Sequence, residues 1–389
     1  MTMKIKSILI GFLFCTGVLL LSAEDKAGVA FNGQMVLWTT AQFEDPFAMQ
    51  PGFRFVPALT GKLGFKNQSY VDFEASLNLH GNTTFYDGHF IQPKGDAKLY
   101  RVWSRYANDK FEIRAGLQKI NFGSAKLFRP LMWFDGMDVR DPLQLTDGIY
   151  AVLGKYYFEN NANVWLWGML GNEKPKGYEL FGSSLWKPEF GGRIEHPAGP
   201  GEIGLSYHHR TLHSENNLYD LLLPSVELTE NRIGLNGKWD VEIGVWFESS
   251  ISMLQENALM PTKTDMLNVG ADYTLPIGNG LGVTLEYFRY HTGDKLFAGG
   301  ASAQLVGSML TYPVSLLDNL SGMVFYLPAG NGADSLWLNY LTWSRTYDNI
   351  SLYLMAYWNP VNYNLPVLQT QGRNLFAGKG VQFMISLYF

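Results

Sequence analysis

Hydrophobic and polar residues alternate with a period of two along most of the chain, the pattern of strands that meet different environments on their two faces. The last nine residues are the plainest case: Val381, Phe383, Ile385, Leu387 and Phe389 fall on one face, and Gln382, Met384, Ser386 and Tyr388 on the other. Tyr70 to His80 is as regular, setting Val71, Phe73, Ala75, Leu77 and Leu79 against Tyr70, Asp72, Glu74, Ser76 and Asn78. With Lys379–Phe389 as the closing segment, the same alternation predicts strands at Ala30–Thr39, Phe53–Phe65, Lys98–Ala107, Phe111–Leu117, Ile149–Phe158, Val164–Leu170, Phe190–Glu195 and Ile203–Arg210. It continues through Arg232–Trp239, Val241–Ile251, Met266–Leu275, Leu281–Tyr290, Leu305–Leu317, Leu320–Leu327, Leu336–Arg345 and Ile350–Trp358.

The connections alternate short and long. Lys66-Asn67-Gln68, Asn108-Asp109, Glu159-Asn160-Asn161, Asp240 and Pro276–Asn279 are tight, whereas Gly81–Asp96 and Asn121–Asp147 are long. About eighteen strands, with roughly eight short turns at one end and nine longer loops at the other, predict an all-β, transmembrane antiparallel barrel. Sixteen strands is the alternative count, because Pro313 weakens Leu305–Leu317. A final strand ending on Phe resembles the closing strand of bacterial outer-membrane β-barrels.

Met1 to Ala23 has the form of a secretory signal: Lys4 and Lys6, an apolar stretch from Ile8 to Leu21, and Leu21-Ser22-Ala23 before Glu24. The expected organisation is therefore a signal peptide at 1–23 and one barrel at 24–389. Cys15, the sole cysteine, lies within that leader, which excludes disulfides and thiol chemistry from the remainder. Mean hydropathy is −0.06 although aromatics reach 15%. Lipid-facing and lumen-facing positions averaging out give that combination, and spanning helices do not. Without the leader the balance is 28 basic against 35 acidic residues, which argues against nucleic acid as a partner.

A barrel of this size encloses an aqueous lumen, so its lining decides what it does. The chain before the first strand is too short for a plug domain. Asn121–Asp147 follows the fifth strand, where the loop of general porins folds inward, and it is similar to that loop in placement. Lys126, Arg129, Asp135 and Asp138 are its candidate pore-lining residues, and its Phe128, Met132, Trp133 and Phe134 suggest packing against the wall. Arg101, Trp103, Arg105 and Arg114 occupy the polar faces of strands four and five. Folding the hairpins places Arg105 beside Asp72 and Glu112, which leaves Arg101 and Arg114 as the candidates for attracting anions.

Gly116-Leu117-Gln118, then Phe122-Gly123-Ser124, then Phe134-Asp135-Gly136 resembles the corresponding pattern in alginate-export-type barrels, except that Leu117 stands where those channels carry an Arg. The resemblance implies eighteen strands and an arginine-lined lumen. His208, His209 and Ser206 do not converge by alternation, and with His213 they complete no catalytic or metal site, so they are expected as polar decoration at the rim. Trp165 and Trp167 share a face and are expected in a lipid-facing girdle, the alternative being a lumenal column of aromatics that stacks sugar rings; Tyr353, Tyr357 and Trp358 are expected in girdles by the same reasoning.

The expected function is passive diffusion of small hydrophilic solutes, anions among them, through the outer membrane of a Gram-negative bacterium, without enzymatic activity or cofactor. The alternative is a polysaccharide-export or surface-binding barrel that works with partner proteins. Expected partners are outer-membrane lipids, small hydrophilic solutes, the barrel assembly machinery through the C-terminal strand, and further copies of the chain in a homo-oligomer.

Overall fold

A computed structural model describes residues 25–65, 67–213, 227–257, 260–329, 334–361 and 376–389; the predicted signal peptide lies outside them. Eighteen strands follow one another: β1 Asp25–Gln42, β2 Ala48–Gly64, β3 Tyr70–Tyr86, β4 His89–Ala107, β5 Phe111–Gln118, β6 Ile149–Tyr157, β7 Asn163–Met169, β8 Glu189–Ala198 and β9 Gly201–His213. Then come β10 Glu227–Val241, β11 Ile243–Leu254, β12 Lys263–Leu275, β13 Leu281–Gly293, β14 Ala301–Pro313, β15 Asp318–Leu327, β16 Leu336–Thr346, β17 Ile350–Trp358 and β18 Lys379–Tyr388. Every strand pairs antiparallel with its sequence neighbours, and β18 pairs with β1 from Gln34↔Tyr388 to Gln42↔Gly380, which closes the sheet. Closure leaves no unpaired edge, the condition for a sheet to cross lipid.

Alternation sorts the side chains as the sequence predicts. Leu59, Leu77, Ile113, Val152, Leu166, Leu205, Val245, Leu285, Leu310, Leu354 and Phe383 are exposed on the outer face, an apolar belt running round the ring. On β18, Gln382, Met384 and Ser386 are buried inward while Phe383 faces out. The tight turns use side chains to satisfy freed backbone donors: Asn108 accepts from the Lys110 and Phe111 amides, and Asn160 from that of Ala162. Pro313, the reason for doubting a strand, falls on the last residue of β14, where it interrupts little of the ladder.

Two predicted gaps are shorter than expected. β1 and β2 are joined by residues 43–47, and the predicted loop Gly81–Asp96 is instead the continuation of β3 and β4 into a two-residue turn at Asp87-Gly88. These strands are 17 and 19 residues long, against 7 for β7. A strand that runs on past the bilayer no longer meets lipid on one face, so its sequence loses the alternation that marks it.

Candidate functional site: the barrel interior

Residues 119–148, between β5 and β6, cross the lumen and dock on β10 to β13, up to eight strands round an eighteen-membered ring. Two wall carboxylates receive them. Glu286 of β13 accepts backbone N–H groups from Lys126 (2.6 Å), Leu127 (3.1 Å) and Phe128 (2.8 Å), together with the Trp246 indole and the Asn268 amide. Glu248 of β11 accepts from the amides of Ala125 (2.6 Å) and Leu131 (3.2 Å). A buried carboxylate is tolerated where several donors surround it, and a loop entering an apolar interior must have its amides satisfied; each need meets the other. The same approach explains Gly123, with φ +104, whose Cβ would lie 2.2 Å from the Glu248 carboxylate.

Beyond those pins the loop packs as a protein core. Phe128 is 0% exposed, its ring 5.5 Å from the rings of both Phe288 and Phe325, in a cluster with Leu305, Leu338, Tyr340 and Tyr357. Phe122, Trp133 and Phe134 form a second cluster with Ile149, Leu153 and Trp167, and the Trp133 indole donates to Ser250.

A second loop, residues 170–188 between β7 and β8, also turns inward. Glu179 takes Arg210 at 2.8 Å and Arg232 at 2.9 Å, and both arginines also bind Glu230. Lys176 lies 3.3 Å from Glu189. His208 is enclosed by Phe134, Trp133 and Trp167; its Nδ1 accepts the Trp167 indole N–H at 3.2 Å, which leaves Nε2 to donate toward Glu189, 3.3 Å away. Gly177 sits so close above the first loop that a Cβ there would come within 1.7 Å of the Met132 carbonyl.

Several expectations are corrected. His208 is core rather than rim decoration, because Trp133 and Phe134 of the first loop cover it. Trp165 and Trp167 point inward and Leu166, 64% exposed, outward: the loop's aromatics require an apolar wall opposite them. Tyr353 and Tyr357 likewise face in, the latter against Phe376, while Trp358 is exposed on the outer face.

The structure places the candidate lining residues as follows. Arg105 binds Asp72 at 2.6 Å and Glu112 at 3.1 Å, as the folded hairpins require. The Trp103 indole donates to Glu74. Arg101 is only 6% exposed, donating to the carbonyls of Tyr100 and Thr146, which fixes the returning stem of the loop. Half-buried Arg114 donates to Gln118 at 2.6 Å and to the Lys119 carbonyl, with no carboxylate within 4 Å among the described residues. Burial lowers the pKa of the nearby Lys119 ammonium. The loop's charges are paired: Lys126 with Asp272 of β12, and, within the loop, Arg129 with Asp135 at 3.4 Å and Arg140 with Asp138 at 2.8 Å. Burial alone would pull the Arg140 guanidinium down, but Asp138 and Tyr340 hold it above its ordinary pKa.

Among the described residues, two cavities flank the first loop. One, of about 550 Å³, lies toward the loop end and is lined by residues including Asp135, Thr146, Asn172 and Lys174; the other, of about 560 Å³, lies toward the turn end, with Asn319, Ser321, Thr342 and Tyr353 in its wall.

Glu248, Glu286, Glu179, Arg210 and Arg232 were not singled out from the sequence. For the two wall glutamates the one signal is a carboxylate on an inner face beside a large apolar group, Glu248 by Trp246 and Glu286 by Phe288; Glu179, in a loop, carries no such signal.

A closed ring of antiparallel neighbours, belted by apolar side chains and holding inward-folded loops, has the fold of a porin-like transmembrane β-barrel. No protein-family model matches the sequence, and no curated protein matches it. The fold is similar to that of Wzi, an outer-membrane protein involved in group 1 capsule assembly in Escherichia coli and described as a carbohydrate-binding β-barrel (TM-score 0.54, 13% identity, covering 92% of this chain and 84% of that one). It is also similar to OccAB1 of Acinetobacter baumannii (TM-score 0.52, 10% identity, 94% and 96%) and to a loop L8 deletion mutant of OmpT, an outer-membrane protein of Vibrio cholerae (TM-score 0.52, 10% identity, 94% and 100%).

Proposed function

We propose that the protein is an outer-membrane channel for small hydrophilic solutes whose path skirts the inward loop instead of running through an open lumen. The supporting observation is the pair of cavities, each of about 550–560 Å³, on the two sides of that loop. On this reading Arg114, beside Trp103 and the paired Arg105, gives the path a preference for anions, and Lys126, Arg129, Asp135 and Asp138 shape its narrow part. Arg101 serves mainly to hold the loop stem. The barrel reaches its membrane through β18 and the assembly machinery, alone or as a homo-oligomer.

The test is single-channel recording of the purified barrel in planar bilayers under a salt gradient. The wild type should conduct with a reversal potential displaced toward anions, and Arg114→Gln should move that potential toward cations. A silent wild type would refute the channel.

A surface barrel that handles polysaccharide is the second reading. It draws support from the apolar filling of the lumen around Phe128 and from the fold shared with Wzi, which is described as carbohydrate-binding. A barrel that stays silent in bilayers yet retains polysaccharide on an affinity column would favour it.

A further inference from the structure

The two cavities share four lining residues: Arg129, Met137, Val139 and Arg140. Both arginines are already committed, Arg129 to Asp135 and the Phe122 carbonyl, and Arg140 to Asp138 and the Tyr340 hydroxyl. Between the cavities, beside these paired guanidiniums, the half-buried Met137 and Val139 supply the apolar part of the partition, with Val139 resting on the apolar cluster around Phe128.

We infer that Met137 and Val139 form an apolar septum on the solute path, that residues 136–139 are the arm that moves to join the cavities, and that the septum favours compact organic solutes with an apolar face over hydrated inorganic ions. This deepens the channel reading and rests on it.

The arm is defined by what holds its surroundings. Residues 125–131 are pinned by Glu248 and Glu286, and residues 132–135 are braced by the Trp133–Ser250 bond and by Gly177 lying over Met132. Arg140 is held against Tyr340 and Phe376. Among the described residues, none of 136–139 hydrogen-bonds to the barrel wall, and Gly136 is exposed, with no atom within 4 Å of where its Cβ would be. Gly136 is thus a hinge beside a short segment held only within the loop, by Asp138 through Arg140 and the Asp141 amide, and by the packing of Val139 on the apolar cluster.

The selectivity follows from hydration. A narrow apolar constriction holds water poorly, so an inorganic ion crossing it must give up hydration for which Met137 and Val139 offer no replacement. A solute with an apolar face loses nothing on that face by sliding past the thioether and the isopropyl group.

The experiment pairs two readouts on the full barrel, with folding confirmed by heat-modifiable migration: potassium chloride conductance in planar bilayers, and swelling of proteoliposomes in a pentose. Replacing the septum with hydroxyls, Met137→Ser with Val139→Ser, should raise conductance roughly tenfold, the change expected from lowering the barrier by about 1.4 kcal/mol. Pentose swelling should change far less, so the ratio of ion to solute flux rises. Met137→Trp should depress both. If the wild type conducts and Arg114→Gln shifts its reversal potential, but the double serine variant keeps the wild-type ratio, the septum is refuted and the channel stands. If neither wild type nor double variant passes ion or pentose, both readings fall.

Discussion

The two walls of this lumen differ although their outer faces are alike. Along β3 to β7 the inner face carries Asp72, Arg105, Glu112, Arg114 and Lys155, interleaved with Tyr70, Trp103 and Trp165, and Lys155 sits 3.8 Å over the Trp165 ring. Along β11 to β17 it carries Trp246, Phe288, Leu305, Phe325, Leu338 and Tyr340, fully buried under the first loop. Where the loop docks, the wall has become the core of a globular protein; where it does not, the wall keeps the charges that water tolerates. Lumen polarity is thus set by what the loops cover.

The comparison breaks most severely at Glu286. Glu286→Ala leaves three loop amides, the Trp246 indole and the Asn268 amide without their acceptor, and at about 1–3 kcal/mol for each buried orphan the docked loop should lose about 5 kcal/mol or more. Hydrogen exchange at the Lys126–Phe128 amides should accelerate from protected to loop-like rates while the barrel ladder stays protected. Phe128→Ala, which empties the centre of the apolar side, should cost about 3–5 kcal/mol in urea unfolding from detergent or lipid.

On the charged side effects should be smaller in energy and larger in transport. Arg114→Gln is expected to leave the unfolding midpoint nearly unchanged and to move the reversal potential, with the shift shrinking as salt rises. The smallest change should come from Lys110→Ala at a fully wet turn, whose pairing with Glu159 contributes well under 1 kcal/mol.

The sequence makes one face of this barrel readable and hides the other. Lipid is a uniform solvent, so Leu77, Leu166, Leu285 and Phe383 announce the outer face, and strand number, turn positions and closure follow from their period. The hairpins also placed Arg105 between Asp72 and Glu112, because register fixes neighbours across a tight turn. The interior obeys no such uniform rule. Trp165, Trp167, Tyr357 and His208 face in because loops distant in sequence cover them, a fact that no alternation encodes. Glu248 and Glu286 look like ordinary polar-face residues until a loop more than a hundred residues away presents its amides to them.

On the channel reading, the first loop, pinned across the lumen, limits passage through the barrel. The most direct test is the single-channel conductance of the barrel lacking Lys126–Asp138, with folding and closure verified by heat-modifiable migration. Loss of this segment removes every amide that Glu286 receives from the loop, together with the Phe128 side chain, so conductance should rise severalfold and the apolar side of the lumen should fill with water. A folded deletion variant that conducts at the wild-type level would contradict the account and make the loop a filling of the barrel with no part in setting its passage.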